Sequence, residues 1–229
     1  MMCNKPLTIA IDGPAGAGKS TIAKALSSKL GIMHLDTGSM YRAAGLKAVR
    51  LGIDRFDTER ITRMIAQTDI DVRFSGGEQF VYLDGENVTG LIRTQEISKA
   101  ASDIGTNKSV RVKMVELQQA IAARNSVIMD GRDIGTDVLP NASFKFYVTA
   151  SAAVRAQRRY ADLQRAGNLA GMTLAQLEAE IIERDRVDMS REHSPLVCAS
   201  DAILVDTSLV GVEETLEYIL GFIKGKAGK

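Results

Sequence analysis

The sequence has almost no net charge and no long apolar segment. Its 229 residues carry 29 basic and 28 acidic side chains, so the formal net charge is +1. General binders of nucleic acids or membrane surfaces carry a strong basic excess. No apolar run approaches the roughly 18 residues that a membrane-spanning helix needs. The composition therefore predicts neither nucleic acid nor membrane as a partner.

Cysteine and histidine are scarce, with two residues of each type. Cys3 and Cys198 form no Cys-x-x-Cys motif, which favours a reduced, cytoplasmic protein. The apolar segment near the N-terminus is too short for the core of a signal peptide, which agrees with that location. His34 and His193 are too few and too scattered for a zinc site, and we interpret both as ordinary residues.

Short apolar runs alternate with helical segments along most of the chain. The sequence is 45% hydrophobic and 25% charged, and its length suits one domain over residues 1–229. Parallel strands joined by helices produce such an alternation. We predict an α/β fold with a five-stranded parallel sheet, whose strands lie in segments 7–12, 31–38, 126–131, 143–150 and 201–207.

One stretch, DIDVRFSGGEQFVYLDGENV (residues 69–88), departs from this alternation. Ile70, Val72 and Phe74 alternate with polar residues, and SGGE and DG supply turns. The pattern predicts a small antiparallel insert over residues 57–103, mounted on the parallel core. Such an insert either contributes to specificity or only adds stability, and the pattern alone leaves both open.

The run GPAGAGKS directly follows the first predicted strand. In a Gly-x-x-x-x-Gly-Lys-Ser loop, backbone N–H groups surround a phosphate chain, the lysine reaches the β/γ-phosphates and the hydroxyl holds Mg²⁺. A strand before the loop and an amphipathic helix after it point the helix N-terminus at the anion. We predict a nucleoside triphosphate site formed by Gly13, Pro14, Ala15, Gly16, Ala17, Gly18, Lys19, Ser20 and Thr21.

Two further features bear on the class of nucleotide-binding protein. Asp130 ends an apolar run, VIMD, where a second contact to Mg²⁺ would lie, although a strand that simply ends in aspartate has the same sequence. A guanine-specific GTPase would carry Asn-Lys-x-Asp. Leu7 and Val110 stand at the aspartate position after the two Asn-Lys pairs, so a GTPase switch is disfavoured.

Arginines lie next to acidic residues in DTGSMYR (36–42), DGRDIGT (130–136) and ERDRVDMSR (183–191). If the last segment is helical, Arg184, Asp188 and Arg191 share one face. An acceptor that is itself a phosphate needs cations to offset the repulsion between two anionic groups. Each cluster alone favours the simpler interpretation of exposed ion pairs, which contribute little stability. Together, at the ends of strands where ligands collect, they favour a site for two phosphate groups.

These segments together resemble the bacterial cytidylate kinase family, among the nucleoside monophosphate kinases of the P-loop fold. DTGSMYR, GLIRTQEISKAAS (90–102), DGRDIGT and ERDRVDMSR match its motifs, and the match covers essentially the whole chain. The resemblance implies phosphoryl transfer from ATP to CMP or dCMP with Mg²⁺. It also implies a sheet order of 2-3-1-4-5, a monophosphate-binding insert (57–103) and a short closing lid (153–170).

The resemblance further implies roles for individual residues. The metal would be held by Ser20 and Asp130, and the catalytic residues would be Lys19, Arg132 and the lid arginines Arg155, Arg158 and Arg159. In the acceptor site, Arg42, Arg132 and Arg191 would hold the phosphate, Arg184 and Asp188 the sugar, and Ser102, Arg111 and Asp133 the base, with Asp36, Thr37 and Tyr41 in the same pocket.

The chemistry of cytosine agrees with the implied base readers. Its exocyclic amine donates a hydrogen bond that Asp133 can accept, and its N3 and O2 accept hydrogen bonds from Arg111. Uracil reverses this pattern and would leave buried polar groups unpaired. Two alternatives stay open, namely a uridylate or other small-acceptor kinase and a nucleotide-dependent switch protein.

Two smaller expectations complete the sequence-based picture. The stretch SGGEQ (75–79) departs from the commonest form of the family, and we expect the difference to affect only a turn. The sequence shows no obvious exposed apolar seam, which predicts a monomer.

Overall fold

The computed structural model describes residues 6–169 and 171–227, and within them eight strands and eight α-helices. Cys3 and the first Asn-Lys pair lie outside these residues. The strands are β1 (Thr8–Asp12), β2 (Met33–Asp36), β3 (Ile70–Ser75), β4 (Glu78–Leu83), β5 (Glu86–Asn87), β6 (Val127–Asp130), β7 (Phe144–Thr149) and β8 (Ile203–Asp206). The helices are α1 (Lys19–Leu30), α2 (Thr37–Arg50), α3 (Thr58–Ala66), α4 (Gln95–Ile104), α5 (Lys108–Ala122), α6 (Ala152–Arg165), α7 (Leu174–Met189) and α8 (Val212–Ala227).

Five strands form a parallel sheet in the order β2-β6-β1-β7-β8. These numbers differ from the predicted ones because β3, β4 and β5 belong to a separate sheet but are counted along the chain. Counted within the parallel sheet alone, the order is 2-3-1-4-5. The predicted α/β fold and its five parallel strands are confirmed.

Residues on the central strand β1 alternate between the two faces of this sheet. Ala10 lies in one apolar cluster with Met40 of α2 and Met114 of α5. Ile9 and Ile11 lie in a second cluster, which includes buried residues of α1 and α8. Helices therefore cover both faces, and strands buried on both faces read as continuous apolar runs. The result is the three-layer arrangement expected of a P-loop fold.

The strands β3, β4 and β5 form a small antiparallel sheet, as the alternating pattern predicted. The turn between β3 and β4 contains Gly76 and Gly77 with φ of 59° and 79°, which suits a two-residue hairpin turn. Gly45 lets α2 approach α4 closely, because a Cβ there would lie 2.8 Å from the backbone nitrogen of Ala101. The bounds of the insert, residues 57–103, stay a prediction.

Helices α6 and α7 pack on each other through Ala156, Leu163 and Leu177. The predicted lid, residues 153–170, covers most of α6 and the segment after it, and its last residue lies outside the described part of the chain. Its role as a lid stays a prediction. Among the helices described, none combines the length and apolar character required to cross a membrane.

Candidate active site

The glycine loop connects the end of β1 to the start of α1. Gly13, Gly16 and Gly18 have φ of 141°, 78° and 89°, a region that favours glycine. A Cβ on Gly13 would lie 1.9 Å from the backbone oxygen of Val148 in β7. The N-cap residue of α1 is Gly18, which has no side chain to cap the helix, and a helix N-terminus of this kind favours an anion.

Lys19 lies inside this loop and is almost fully buried. Its Nζ donates a hydrogen bond to the Pro14 carbonyl at 2.7 Å. Burial, with the charge of nearby Arg132, lowers the pKa of Lys19 well below its usual value, and Asp130 and other carboxylates offset this only in part. A phosphate chain in the loop would supply the missing negative charge.

Ser20 and Asp130 meet at the carboxyl edge of the sheet, where β6 ends. Ser20 Oγ donates a hydrogen bond to Asp130 Oδ2 at 2.6 Å. The Asp130 carbonyl accepts a hydrogen bond from Thr37 Oγ1 at 2.7 Å, which ties β6 to the start of α2. Hydroxyl and carboxylate oxygens are ligands for a hard cation, so this pair fits Mg²⁺. Thr21, the last predicted loop residue, is exposed on α1.

Asp12 holds the segment DGRDIGT against the glycine loop. Its two carboxylate oxygens accept hydrogen bonds from the N–H groups of Ile134 and Gly135 at 2.8 and 2.7 Å. These residues begin a π-helical turn, Ile134–Val138. Burial raises the pKa of Asp12 to about 6, although both hydrogen bonds act to lower it.

The raised pKa predicts a pH-dependent difference in stability between the wild type and the Asp12→Asn variant. Between about pH 4 and pH 6 the folded state keeps a proton on Asp12 that the unfolded state has lost. The stability that this proton contributes is therefore fully present below pH 4 and is lost as the pH rises through 6. A shift from 3.8 to about 6 corresponds to about 3 kcal/mol. We expect the wild-type free energy of unfolding, measured by urea titration, to fall by that amount relative to the variant. A difference that stays constant over this range would contradict the assignment.

Buried arginines surround Asp188 on the last turn of α7. Arg132 Nε donates a hydrogen bond to Asp188 Oδ2 at 2.9 Å, and Arg191 pairs with Asp188 Oδ1. Burial, with the charge of Arg132, lowers the pKa of Arg184 to about 10. Because α7 ends at Met189, Arg191 lies beyond the helix, and the predicted helical face contains only Arg184 and Asp188.

Three arginines in this region have donors without acceptors. The buried Nε atoms of Arg42, Arg184 and Arg191 lack a hydrogen-bond partner among the described residues, and buried polar groups normally have one. Arg42 is also held by Asp36 Oδ2 at 2.7 Å. The sequence also allowed these residues to form exposed ion pairs. That alternative is wrong for Asp188 and Arg191, whose side chains are 2% and 6% exposed. An anionic group would satisfy these donors.

A hydrogen-bonded polar cluster contains Tyr41, Arg111 and Asp133. Arg111 Nη1 donates hydrogen bonds to Asp133 Oδ2 and the Tyr41 hydroxyl, each at 3.0 Å. Burial raises the pKa of Asp133, and the neighbouring Arg111 offsets this only in part. Burial also raises the pKa of Tyr41. Ser102 is half-buried on α4, one turn before Gly105, whose carbonyl accepts from Arg111 Nε at 2.8 Å.

The three arginines of α6 have different surroundings. Arg155 is buried and forms a bidentate pair with Asp185 at 3.1 and 2.5 Å. It also donates to the Ala15 carbonyl of the glycine loop. Arg158 donates two hydrogen bonds to Thr207, at 3.1 Å to its hydroxyl and 2.6 Å to its carbonyl, and Arg159 is exposed. Their contact with a transferred phosphoryl group stays a prediction.

Comparison with known proteins assigns the chain to a family. A family model described as "Cytidylate kinase" matches residues 9–225. The chain is 49% identical over 216 residues to a cytidylate kinase of Caldicellulosiruptor bescii, covering 94% of this chain and 95% of the relative. It is 47% identical over 222 residues to one of Desulfitobacterium hafniense, covering 97% and 94%. The chain belongs to the cytidylate kinase family.

Comparison with solved structures shows that this member of the cytidylate kinase family shares its fold with a protein of known structure. An uncharacterized protein from Eubacterium ventriosum superimposes with a TM-score of 0.53 at 11% sequence identity, covering 95% of this chain and 98% of that one. At this identity the similarity shows the fold alone.

Gln79 contacts the segment DTGSMYR, and no sequence pattern indicated this contact. Its side-chain oxygen accepts from the Asp36 N–H at 2.8 Å, and its nitrogen donates to Ser39 Oγ at 2.7 Å. Gln79 is on β4 and is the last residue of SGGEQ, so the expectation that this stretch affects only a turn is wrong. It joins the antiparallel sheet to the residue that holds Arg42.

Proposed function

We propose that the protein transfers the γ-phosphoryl group of ATP to CMP or dCMP, giving ADP and CDP or dCDP. The observation that carries this proposal is the set of three buried guanidinium Nε atoms without acceptors, on Arg42, Arg184 and Arg191. The segment 130–136 contacts both this cluster and the glycine loop. A donor site for a triphosphate therefore adjoins an acceptor site for a monophosphate, and membership of the family supports a cytidylate as acceptor.

In the proposed reaction, a phosphate oxygen of CMP attacks the γ-phosphorus of ATP, and ADP leaves. The attacking oxygen already carries negative charge, so no general base is required. Lys19 and Arg132 lie close enough for each charge to affect the other, and we propose that they bridge the two phosphate chains. Positioning and charge cancellation then supply most of the rate enhancement. Mg²⁺, held by Ser20 and Asp130, would neutralise phosphate oxygens when bound.

We propose that the insert (57–103) binds the acceptor and that the lid (153–170) closes when both substrates are present. Closure excludes water, which would otherwise hydrolyse ATP. The lid arginines Arg155, Arg158 and Arg159 are proposed to approach the transferred group on closure. Gln79 supports a role for the insert beyond stability, since it connects β4 to Asp36.

We propose that Ser102, Arg111 and Asp133 read the base. The Arg111–Asp133 pair presents a donor and an acceptor in a buried setting, which is the complement of the cytosine edge. The raised pKa of Asp133 shows that burial costs this carboxylate free energy, which a donor from the base would offset.

For Asp133→Ala, we expect kcat/KM for CMP to fall about 100-fold more than kcat/KM for UMP, because only cytosine donates to this carboxylate. Loss of Asp133 also leaves the buried Arg111 unpaired and lowers stability. The CMP-to-UMP ratio within one preparation cancels differences in the amount of folded enzyme. Asp137→Ala, at an exposed position of the same turn, should keep the wild-type ratio. Equal losses on both substrates would contradict the assignment of Asp133.

The function is tested by coupled measurement of ADP release with ATP, Mg²⁺ and each of CMP, dCMP, UMP, AMP and shikimate. We expect turnover confined to CMP and dCMP. Turnover on UMP, AMP or shikimate would indicate a different small-acceptor kinase and overturn the base readers. ATP binding without turnover would indicate a switch protein. We also propose a cytoplasmic monomer, and light scattering of the purified protein tests the oligomeric state.

A further inference from the structure

His34 lies on β2 beside the end of β6 and faces the proposed metal site. Its Nε2 is 2.7 Å from Asp130 Oδ1, while Asp130 Oδ2 accepts from Ser20 Oγ at 2.6 Å. Each oxygen of the buried carboxylate therefore has its own side-chain partner. A histidine interpreted from the sequence as ordinary thus belongs to a hydrogen-bonded chain that ends at the glycine loop.

The direction of the hydrogen bond follows from the charge of Asp130. Asp130 Oδ2 accepts a hydrogen bond from Ser20 Oγ at 2.6 Å and Oδ1 lies 2.7 Å from His34 Nε2, so both oxygens have the surroundings of an ionised carboxylate. An ionised carboxylate only accepts, so His34 Nε2 carries a proton and donates it. Rotation of the carboxylate about its Cβ–Cγ bond would break both hydrogen bonds, and the pair of partners therefore fixes one orientation.

His34 is well placed for this contact, and its neighbours on β2 are not. Met33 and Leu35 belong to the apolar cluster on the face covered by α2 and α5, because successive residues of a strand point to opposite faces. The parallel register pairs His34 with Ile128 and Asp36 with Asp130. The structure therefore shows a single donor on β2 that reaches Asp130 Oδ1 among the described residues.

We propose that His34 is a positioning residue that orients the Asp130 carboxylate so that Oδ2, with Ser20 Oγ, forms the Mg²⁺ site. The inference rests on the metal-binding part of the proposed function and does not depend on the acceptor. Residues that hydrogen-bond to a metal ligand fix its orientation, and their loss typically costs 10- to 100-fold in metal affinity.

The test is the affinity of the purified protein for Mn²⁺ in the presence of ADP, measured by electron paramagnetic resonance. We expect His34→Leu to weaken Mn²⁺ binding about 10- to 100-fold. His34→Gln retains an N–H donor and should restore binding to within a small factor of the wild type. ADP affinity measured in EDTA should be unchanged in both variants. Met33→Leu, next along β2 but on the opposite face, is the matched control.

Two results would overturn the inference. One is wild-type Mn²⁺ affinity in His34→Leu. The other is equal weakening in His34→Leu and His34→Gln, which would show that the hydrogen bond is not the cause. Turnover of the wild type on CMP is measured separately. If the Mn²⁺ pattern holds and CMP is not phosphorylated, the proposed acceptor fails while the role of His34 stands.

Discussion

The Gly13→Ala variant is expected to lose most of its folding stability and its ATP site together. The φ of Gly13 is 141°, and an added Cβ would lie 1.9 Å from the Val148 carbonyl oxygen. That oxygen belongs to β7, which is paired with a strand on each side, so relief requires movement of the sheet or of the loop. Backbone strain and overpacking together cost roughly 3–6 kcal/mol, which is much of the stability of a typical domain.

Urea unfolding and ATP titration of the purified variant check this expectation. Gly221→Ala is the matched control, because Gly221 is an exposed position of α8 where an added Cβ meets nothing within 4 Å. We expect that control to gain about 0.5–1 kcal/mol from the helix preference of alanine. Wild-type stability of the Gly13→Ala protein would contradict the close approach of the loop to the Val148 carbonyl oxygen in β7.

The need for glycine at position 13 could be predicted from the local sequence. A strand, a glycine loop and a helix are adjacent in the chain, so their spacing determines most of their geometry. The strands β1 and β6 were predictable because burial on both faces leaves runs with few polar residues. The hairpin at residues 69–88 was predictable from the opposite pattern, strict alternation with glycine turns.

The contacts that organise the site were not predictable in this way. Asp12 is bound to N–H groups 122 and 123 residues away, and Gln79 reaches a residue 43 positions earlier. Such pairs depend on how whole elements pack, and a local pattern does not report that. The same limit applies to Arg155, whose spacing gave no sign that Asp185 would hold it beside the glycine loop.

Motif resemblance implied which residues bind the acceptor, and the structure adds the physical state of these side chains. Arg42, Arg132, Arg184 and Arg191 do lie together, as the resemblance implied. Sequence alone did not show that three of them would carry buried donors without acceptors. This imbalance has an energetic consequence, because the cations gathered at the proposed acceptor site repel one another when no ligand is bound.

For Arg184→Met, we expect a more stable protein that has lost most of its affinity for the acceptor. The pKa of Arg184 is lowered to about 10, mainly by burial and then by Arg132, so the charged form destabilises the unliganded fold. The difference from the ordinary pKa of an arginine amounts to about 3 kcal/mol at neutral pH. Methionine keeps much of the packing without the charge, and we expect a net gain of about 1–3 kcal/mol in the free energy of unfolding.

The same substitution should lower kcat/KM for CMP roughly 10- to 200-fold, since Arg184 is proposed to hold the sugar and loss of a charged hydrogen-bond donor costs about 1.5–3 kcal/mol. Arg186→Met is the matched control on the same helix, because Arg186 is exposed and pairs only with Glu183 among the described residues. It should change the free energy of unfolding by no more than about 0.5 kcal/mol and leave turnover essentially unchanged.

Urea titration without ligand and initial rates with CMP measure the two effects separately. If Arg184→Met were both less stable and fully active, Arg184 would be a structural residue, and the unpaired donors around Asp188 would not be an acceptor site. A gain in stability combined with a loss of activity is the result expected if the buried charge of Arg184 is kept in order to bind the acceptor.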